Sequence, residues 1–164
     1  MRNESEVVSM GKLIMMMGIP GAGKSTWIKN NKEKNWTIVS RDAIRFEMLE
    51  DGEEYFSREE AVFSSFIHQI IGSLVIDEVT VADATHLTKK ARAKVLNKVR
   101  RFAKEIEIVW LDVSQEIAIE RNDQREGRAV VPHEVIRRMF YQLDPPELSE
   151  GFTKITVIEE GEEA

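Results

Sequence analysis

The sequence predicts an α/β fold: a mostly parallel five-stranded sheet with helices on both faces. Three observations predict it. Five short apolar or β-branched runs alternate with segments of helical period, the first run ends in a glycine-rich turn, and chemically loaded residues gather where the second and third runs end. Alternation of this kind lays successive strands side by side and covers both faces of the sheet with the crossovers. The 164 residues leave room for a single domain with a substantial core, with no repeat or low-complexity linker inside it. Residues 1–10 are expected to be flexible, and residues 159–164 read as an acidic tail.

Each element has a local reason. Lys12 to Ile19 reads as a fully buried strand and Lys24 to about Asn31 as the helix after the turn. Thr37 to Ser40 is a short β-branched strand, and Arg41 to Leu49 a helix broken by Asp51-Gly52. Ser57, with Glu60 three residues on, is expected to cap a helix whose Val62, Phe66, Ile70 and Leu74 recur at helical spacing. Val79 to Ala82 is a third strand ending at Asp83, followed by a helix capped by Thr88 with Ala91, Val95, Val99 and Phe102 facing inward. Glu105 to Val113 is the fourth strand, and Ser114 caps the next helix. Gly127 interrupts that helix before Pro132 opens another, and Lys154 to Ile158 is the fifth strand.

Composition narrows the class. With 42% hydrophobic and 32% charged residues the chain fits neither disorder nor a membrane protein, and no apolar stretch is long enough to cross a bilayer. The polar, acidic start predicts no signal peptide, and the absence of cysteine excludes disulfides and suits a reducing cytoplasm. A net charge of −6 argues against indiscriminate coating of nucleic acid. Locally, Lys89, Lys90, Arg92, Lys94, Lys98, Arg100, Arg101 and Lys104 form an acid-free basic run, either a solvated helix face or a nucleic-acid track.

The turn after the first strand, Gly18-Ile-Pro20-Gly21-Ala22-Gly23-Lys24-Ser25-Thr26, fits the pattern G-x-x-x-x-G-K-[ST]. Glycines let the backbone aim successive N–H groups inward, and the following helix adds its positive dipole end, so the loop cradles phosphate. Lys24 can reach β- and γ-phosphates as a point charge, and the Ser25 hydroxyl can hold Mg²⁺ bridging the same oxygens. Thr26 supports the turn. A bound nucleoside triphosphate is the expectation.

The acceptor must be sought at the other strand ends. Asp42 and Arg45 lie three apart on one face of a starting helix, where a carboxylate can take a proton from an attacking hydroxyl and an arginine can fork onto an anion. Asp83, Thr85 and His86 follow the third strand, and Asp83 can bind Mg²⁺ through water or brace Arg45. Val75-Ile76-Asp77-Glu78 imitates a metal-binding strand end but continues a helical register, and is read as a decoy. His68, His86 and His133 have no partner at ligand spacing, so no transition-metal site is expected. Arg121 and Arg125 are four apart, with Gly127 and Arg128 following, which reads as an arginine-bearing lid to meet the charge of a migrating phosphoryl group.

Together these residues resemble the 5′-polynucleotide kinase family, which includes the phage enzyme and the kinase domain of the eukaryotic polynucleotide kinase/phosphatase. The matches are the loop from Gly18 to Trp27, Arg41-Asp42-x-x-Arg45, Asp83-x-Thr85-His86, Arg121-Asn-x-x-x-Arg125 running into Val131-Pro132, and the segment Pro145 to Phe152. The resemblance covers nearly the whole chain and implies the three-layer P-loop NTPase fold, with ATP and Mg²⁺ as cofactors and a 5′-hydroxyl DNA or RNA end as substrate. It implies that Asp42 is the general base, that Arg45 binds the phosphate 3′ of the acceptor nucleoside, and that Lys24 and Arg125 stabilise the transferring phosphate. Arg121 becomes a further lid contact, and Arg41, Asp83, Thr85 and His86 line the acceptor side. His86 departs from the usual asparagine, and no phosphatase domain is linked, so 3′ processing would need a separate protein. The expected enzyme is a cytoplasmic, monomeric or weakly associating repair kinase with no membrane and no stable protein partner. A small-molecule kinase acting on a nucleoside, sugar or antibiotic is the nearest alternative, and an ATP-binding switch without an acceptor is the next.

Overall fold

The first strand, β1 (Gly11–Met17), is apolar at every position after Lys12, and Leu13, Met15, Met16 and Met17 have no exposed surface. A run this uniformly apolar suits the middle of a parallel sheet, which is covered on both faces. The computed structural model describes residues 10–76 and 78–161. Over these the chain continues through α1 (Lys24–Asn31), β2 (Trp36–Ser40), α2 (Arg41–Met48), α3 (Glu59–Leu74), β3 (Val79–Asp83), α4 (Lys89–Val99), β4 (Ala103–Asp112), α5 (Gln115–Asp123), α6 (His133–Gln142) and β5 (Lys154–Glu159). The strands lie in the order β2-β3-β1-β4-β5, and every pairing is parallel. Residues 1–9 and 162–164, with most of the expected flexible start and half of the acidic tail, lie outside the described residues.

Alternate residues of β1 feed two separate layers. Leu13, Met15 and Met17 pack with Ile44 of α2, Phe66 and Ile70 of α3, and Val95 and Leu96 of α4. Ile14 and Met16 pack with Ile28 of α1, Ala118 of α5 and Ile136 of α6. A slip of one residue would exchange the two sets, so packing on both faces fixes the register. From β1 the chain runs out to β2, returns to β3, and then crosses to β4. The carboxyl ends of β1 and β3 therefore flank the switch point, where open α/β sheets place their ligand crevice.

Three local expectations change. The cap of α3 is Arg58 with no side-chain hydrogen bond, because Ser57 is held one turn earlier by its N–H to the Glu54 carbonyl at 3.0 Å. In α4, Ala91 is exposed and the inward face is Arg92, Val95, Leu96 and Val99, while Phe102 sits in a 3₁₀ turn. Arg92 can face inward because acceptors wait for it there, as described below. Glu78 of the supposed decoy lies at the entry of β3, opposite the crevice, and accepts from the Thr37 hydroxyl at 2.5 Å. Asp77 lies outside the described residues.

The long basic run is mostly engaged at home. Arg92 is buried, Lys89 pairs with Glu147 at 3.1 Å, and Arg100 donates to the Glu150 carbonyl at 2.7 Å. Lys94 lies 4.4 Å from the centre of the Phe63 ring and Arg101 4.8 Å from that of Phe102. These contacts tie Lys89, Arg92, Lys94, Arg100 and Arg101 to the protein's own groups.

Candidate active site

The phosphate loop is shaped by glycine at two positions. Gly21 has φ 87°, and a Cβ there would stand 2.1 Å from the Ala118 carbonyl oxygen of α5. Gly23 has φ 106° and caps α1 without a side chain, so the first N–H groups of that helix stay open toward the crevice. The Gly18 N–H reaches the Thr85 carbonyl at 3.1 Å, tying the loop to the segment after β3. Ala22 is buried, Pro20 half-buried, and Ser25 and Thr26 are exposed on the first turn of α1.

Lys24 folds back across this cradle, donating to the carbonyls of Gly18 at 2.7 Å and Ile19 at 3.1 Å. Burial lowers its ammonium to about 8; Asp83 and Asp42 oppose that shift, and Arg125 adds to it. Three predicted residues from three other segments thus act on Lys24 here. Asp83, mostly enclosed at the end of β3, is raised by burial and by Asp42 and lowered by Lys24. The cradle fits a triphosphate: it has open N–H groups, a helix N-terminus, and a lysine whose charge is poorly solvated. For Mg²⁺ the candidate donors are oxygens, Ser25 and Asp83, and no group of three or more His, Cys, Asp or Glu side chains forms a cage among the described residues. That suits a magnesium ion completed by phosphate oxygens and water.

At the carboxyl end of β2, Ser40 caps α2 by accepting from the Ala43 N–H at 3.2 Å, which presents Asp42 in the first turn. The Asp42 side chain is 63% exposed, and its Oδ1 accepts from the Tyr55 hydroxyl at 2.7 Å and from Arg45. Arg45 differs from its expected openness: it is only 4% exposed and grips Glu59 through Nη2 at 2.8 Å. Glu59, and not Asp83, braces it. Arg41 also reaches Glu59, at 2.5 Å, and lies 5.2 Å from the centre of the Phe63 ring.

His86 is buried and has the one positive φ, 44°, of any described residue other than glycine. Its Nδ1 is 2.6 Å from the Met16 carbonyl, so Nδ1 carries the proton and donates, and burial pushes the ring down to about 4. Nε2 is buried without a partner. His86 therefore links β1 to the loop after β3 as a neutral group.

The residues expected to form a lid divide. Arg121 donates to the Ala22 carbonyl at 3.0 Å, so it already belongs to the phosphate loop. Arg125 is exposed and its Nη1 lies 3.4 Å from the Ala129 carbonyl, within the lid itself. Arg128 reaches Asp51 at 3.4 Å. Between them, Asn122 is wholly buried and clamps Val131 from both sides, accepting from its N–H at 2.9 Å and donating to its carbonyl at 2.8 Å. Sequence reasoning missed Asn122, Tyr55, Glu59 and Arg92. For Asn122 the signal was its place inside the Arg121–Arg125 spacing; Tyr55 and Glu59 carried none, because their partners are 10 or more residues away.

The AAA domain family matches the chain over residues 13–146. A chain of the Pnkp1/Rnl/Hen1 RNA repair complex is similar at 24% identity and TM-score 0.72, covering 84% of this chain and 45% of that one, so this chain spans less than half of that protein's length. Kti12 of Chaetomium thermophilum, in complex with ADP-AlF3, is similar at 12% identity and TM-score 0.65, over 91% of this chain and 89% of that one. A gluconokinase from Sinorhizobium meliloti 1021 is similar at 15% identity and TM-score 0.61, over 94% and 85%. At these identities the likeness is one of fold. With the glycine-built cradle, Lys24 and the parallel sheet behind them, the chain belongs to the AAA domain family.

Proposed function

We propose that this protein is a kinase that moves the γ-phosphoryl group of ATP to the 5′-hydroxyl of a DNA or RNA end, in nucleic-acid repair. The observation that carries the reading is the gathering of Asp42 and Asp83 around Lys24 at one crevice: a donor cradle with an exposed carboxylate beside it. The likeness to a chain of an RNA repair complex and the motif pattern around Asp42 support the polynucleotide acceptor. In the step proposed, the acceptor oxygen bonds to the γ-phosphorus as the bond from that phosphorus to the β–γ bridging oxygen breaks. The hydroxyl proton passes to Asp42, and ADP leaves. Lys24 and Arg125 meet the charge on the migrating group, Arg121 holds the loop, and Arg41, Thr85 and His86 shape the acceptor side. Ser25, and Asp83 through water, would hold Mg²⁺, which would supply charge neutralisation at the phosphate oxygens.

One observation favours a second reading. Arg45, the group expected to recognise an anionic acceptor, is buried and bound to Glu59, Asp42 and Tyr55, which suits an uncharged acceptor such as a sugar or nucleoside. A screen with γ-labelled ATP against 5′-hydroxyl DNA, 5′-hydroxyl RNA, nucleoside 3′-phosphates, nucleosides and sugars separates the two. The expected result is label on the oligonucleotide 5′ end, with Asp42→Asn lowering transfer by roughly 100-fold or more while ATP binding persists. Label confined to nucleosides or sugars sinks the polynucleotide reading. Wild-type transfer by Asp42→Asn sinks the base assignment.

A further inference from the structure

Asp42 has two carboxylate oxygens in different circumstances. Oδ1 carries both of its protein contacts, from the Tyr55 hydroxyl at 2.7 Å and from Arg45 Nη1. Oδ2 has no protein donor among the described residues, on a side chain that is 63% exposed. A carboxylate held by one oxygen presents the other in a fixed direction, which is what proton transfer from an attacking hydroxyl requires.

The holding group is itself held. Arg45 gives Nε to Glu59 Oε2 at 3.2 Å and Nη2 to Oε1 and Oε2 at 3.0 and 2.8 Å. Its Nη1 serves Asp42 and, at 2.9 Å, the Tyr55 oxygen. All three guanidinium nitrogens are therefore engaged, and the plane is packed 4.4 Å from the centre of the Tyr55 ring. Glu59 is fixed in turn by Arg41 at 2.5 Å and by its place in the first turn of α3, where the helix end favours negative charge. The result is a network between α2 and α3: Arg41, Arg45 and Asp42 of α2 are tied through Glu59 of α3, with Tyr55 closing it from the loop between the helices.

We infer that Glu59 and Tyr55 are positioning residues for Asp42, with Glu59 fixing Arg45, Arg45 and Tyr55 fixing Oδ1, and Oδ2 facing the acceptor hydroxyl. The inference rests on the acceptor role proposed for Asp42. Its rival makes opposite predictions: if Arg45 binds an acceptor phosphate and Glu59 merely fills that place in its absence, removing Glu59 opens the site.

Steady-state kinetics of the full chain with ATP and a 5′-hydroxyl oligonucleotide, for the wild type, Glu59→Ala, Glu59→Gln and Tyr55→Phe, decide between them. Positioning predicts that kcat falls by about 10- to 100-fold in Glu59→Ala and Tyr55→Phe, the scale of a small misplacement, with both KM values within about twofold of wild type. Glu59→Gln, whose amide oxygen still accepts from Arg45, should lie between. A lower acceptor KM with kcat undiminished in Glu59→Ala, or wild-type kcat in Tyr55→Phe, overturns the inference. Tyr55→Phe leaves the Arg45–Glu59 pair intact, so it carries the test should Glu59→Ala fail to fold. A wild-type enzyme that labels no oligonucleotide overturns the functional reading alone; the same four proteins are then compared on the hydroxyl acceptor the screen identifies.

Discussion

Arg92 and Glu150 form a buried two-point ion pair, Nε to Oε1 at 2.8 Å and Nη2 to Oε2 at 3.1 Å, with side-chain exposures of 0% and 4%. The same guanidinium satisfies the carbonyls of His86 at 3.1 Å, Leu87 at 3.2 Å and Asp144 at 2.9 Å. One side chain of α4 thereby joins the loop after β3, the exit of α6 and the segment entering β5. It also fixes the backbone at His86, behind the crevice.

Removing one partner of such a pair strands the other charge. Glu150→Ala should cost about 3–5 kcal/mol, whereas Lys98→Ala, on the exposed face of the same helix, should change stability by no more than about 0.5 kcal/mol. Urea unfolding of the two variants measures the contrast. Equal losses would mean that the pair does not organise this end of the sheet.

His86 should make the fold sensitive to acid. Its folded value is lowered from 6.5 to about 4, so between these values the unfolded chain takes up a proton that the native state refuses. Stability is then lost as pH falls from about 6.5 toward about 4, by about 3 kcal/mol over the full window. His86→Asn, with a residue that tolerates positive φ, should remove that share of the slope. Denaturant melts of both proteins across the window test this, and superimposable slopes would contradict it.

Lys24 should report the arrival of phosphate as a proton. Burial holds its free-state value at about 8, and a triphosphate beside the ammonium favours the charged form. Nucleotide binding at about pH 9 should take up close to one proton, and far less at about pH 7. Titration calorimetry in buffers of different ionisation enthalpy gives the count. Lys24→Arg, which stays charged throughout, should bind more weakly with no uptake from this position.

The Asn122 clamp should set the order of the lid base. Asn122→Ala leaves the Val131 N–H and carbonyl without their partner, at about 1–3 kcal/mol for a buried group left unpaired. Amide exchange at Val131 should quicken while exchange in β1 stays slow. Unchanged exchange at Val131 would show that the clamp holds nothing.

Much of this protein was legible before any coordinate. Strand and helix periodicity, the glycine pattern and the caps at Thr88 and Ser114 are local signals, and each of these caps forms as its side chain dictates. The phosphate loop was legible for the same reason, since spacing within nine residues determines its turn. What the sequence by itself determined is therefore the architecture and the glycine-built loop after β1. Tertiary structure alone decided that Glu59 rather than Asp83 braces Arg45, that Arg92 turns inward to meet Glu150, and that Asn122 clamps Val131. These are charges and amides whose partners are 9 to 58 residues away, and a polar side chain is buried only where folding brings a partner to it.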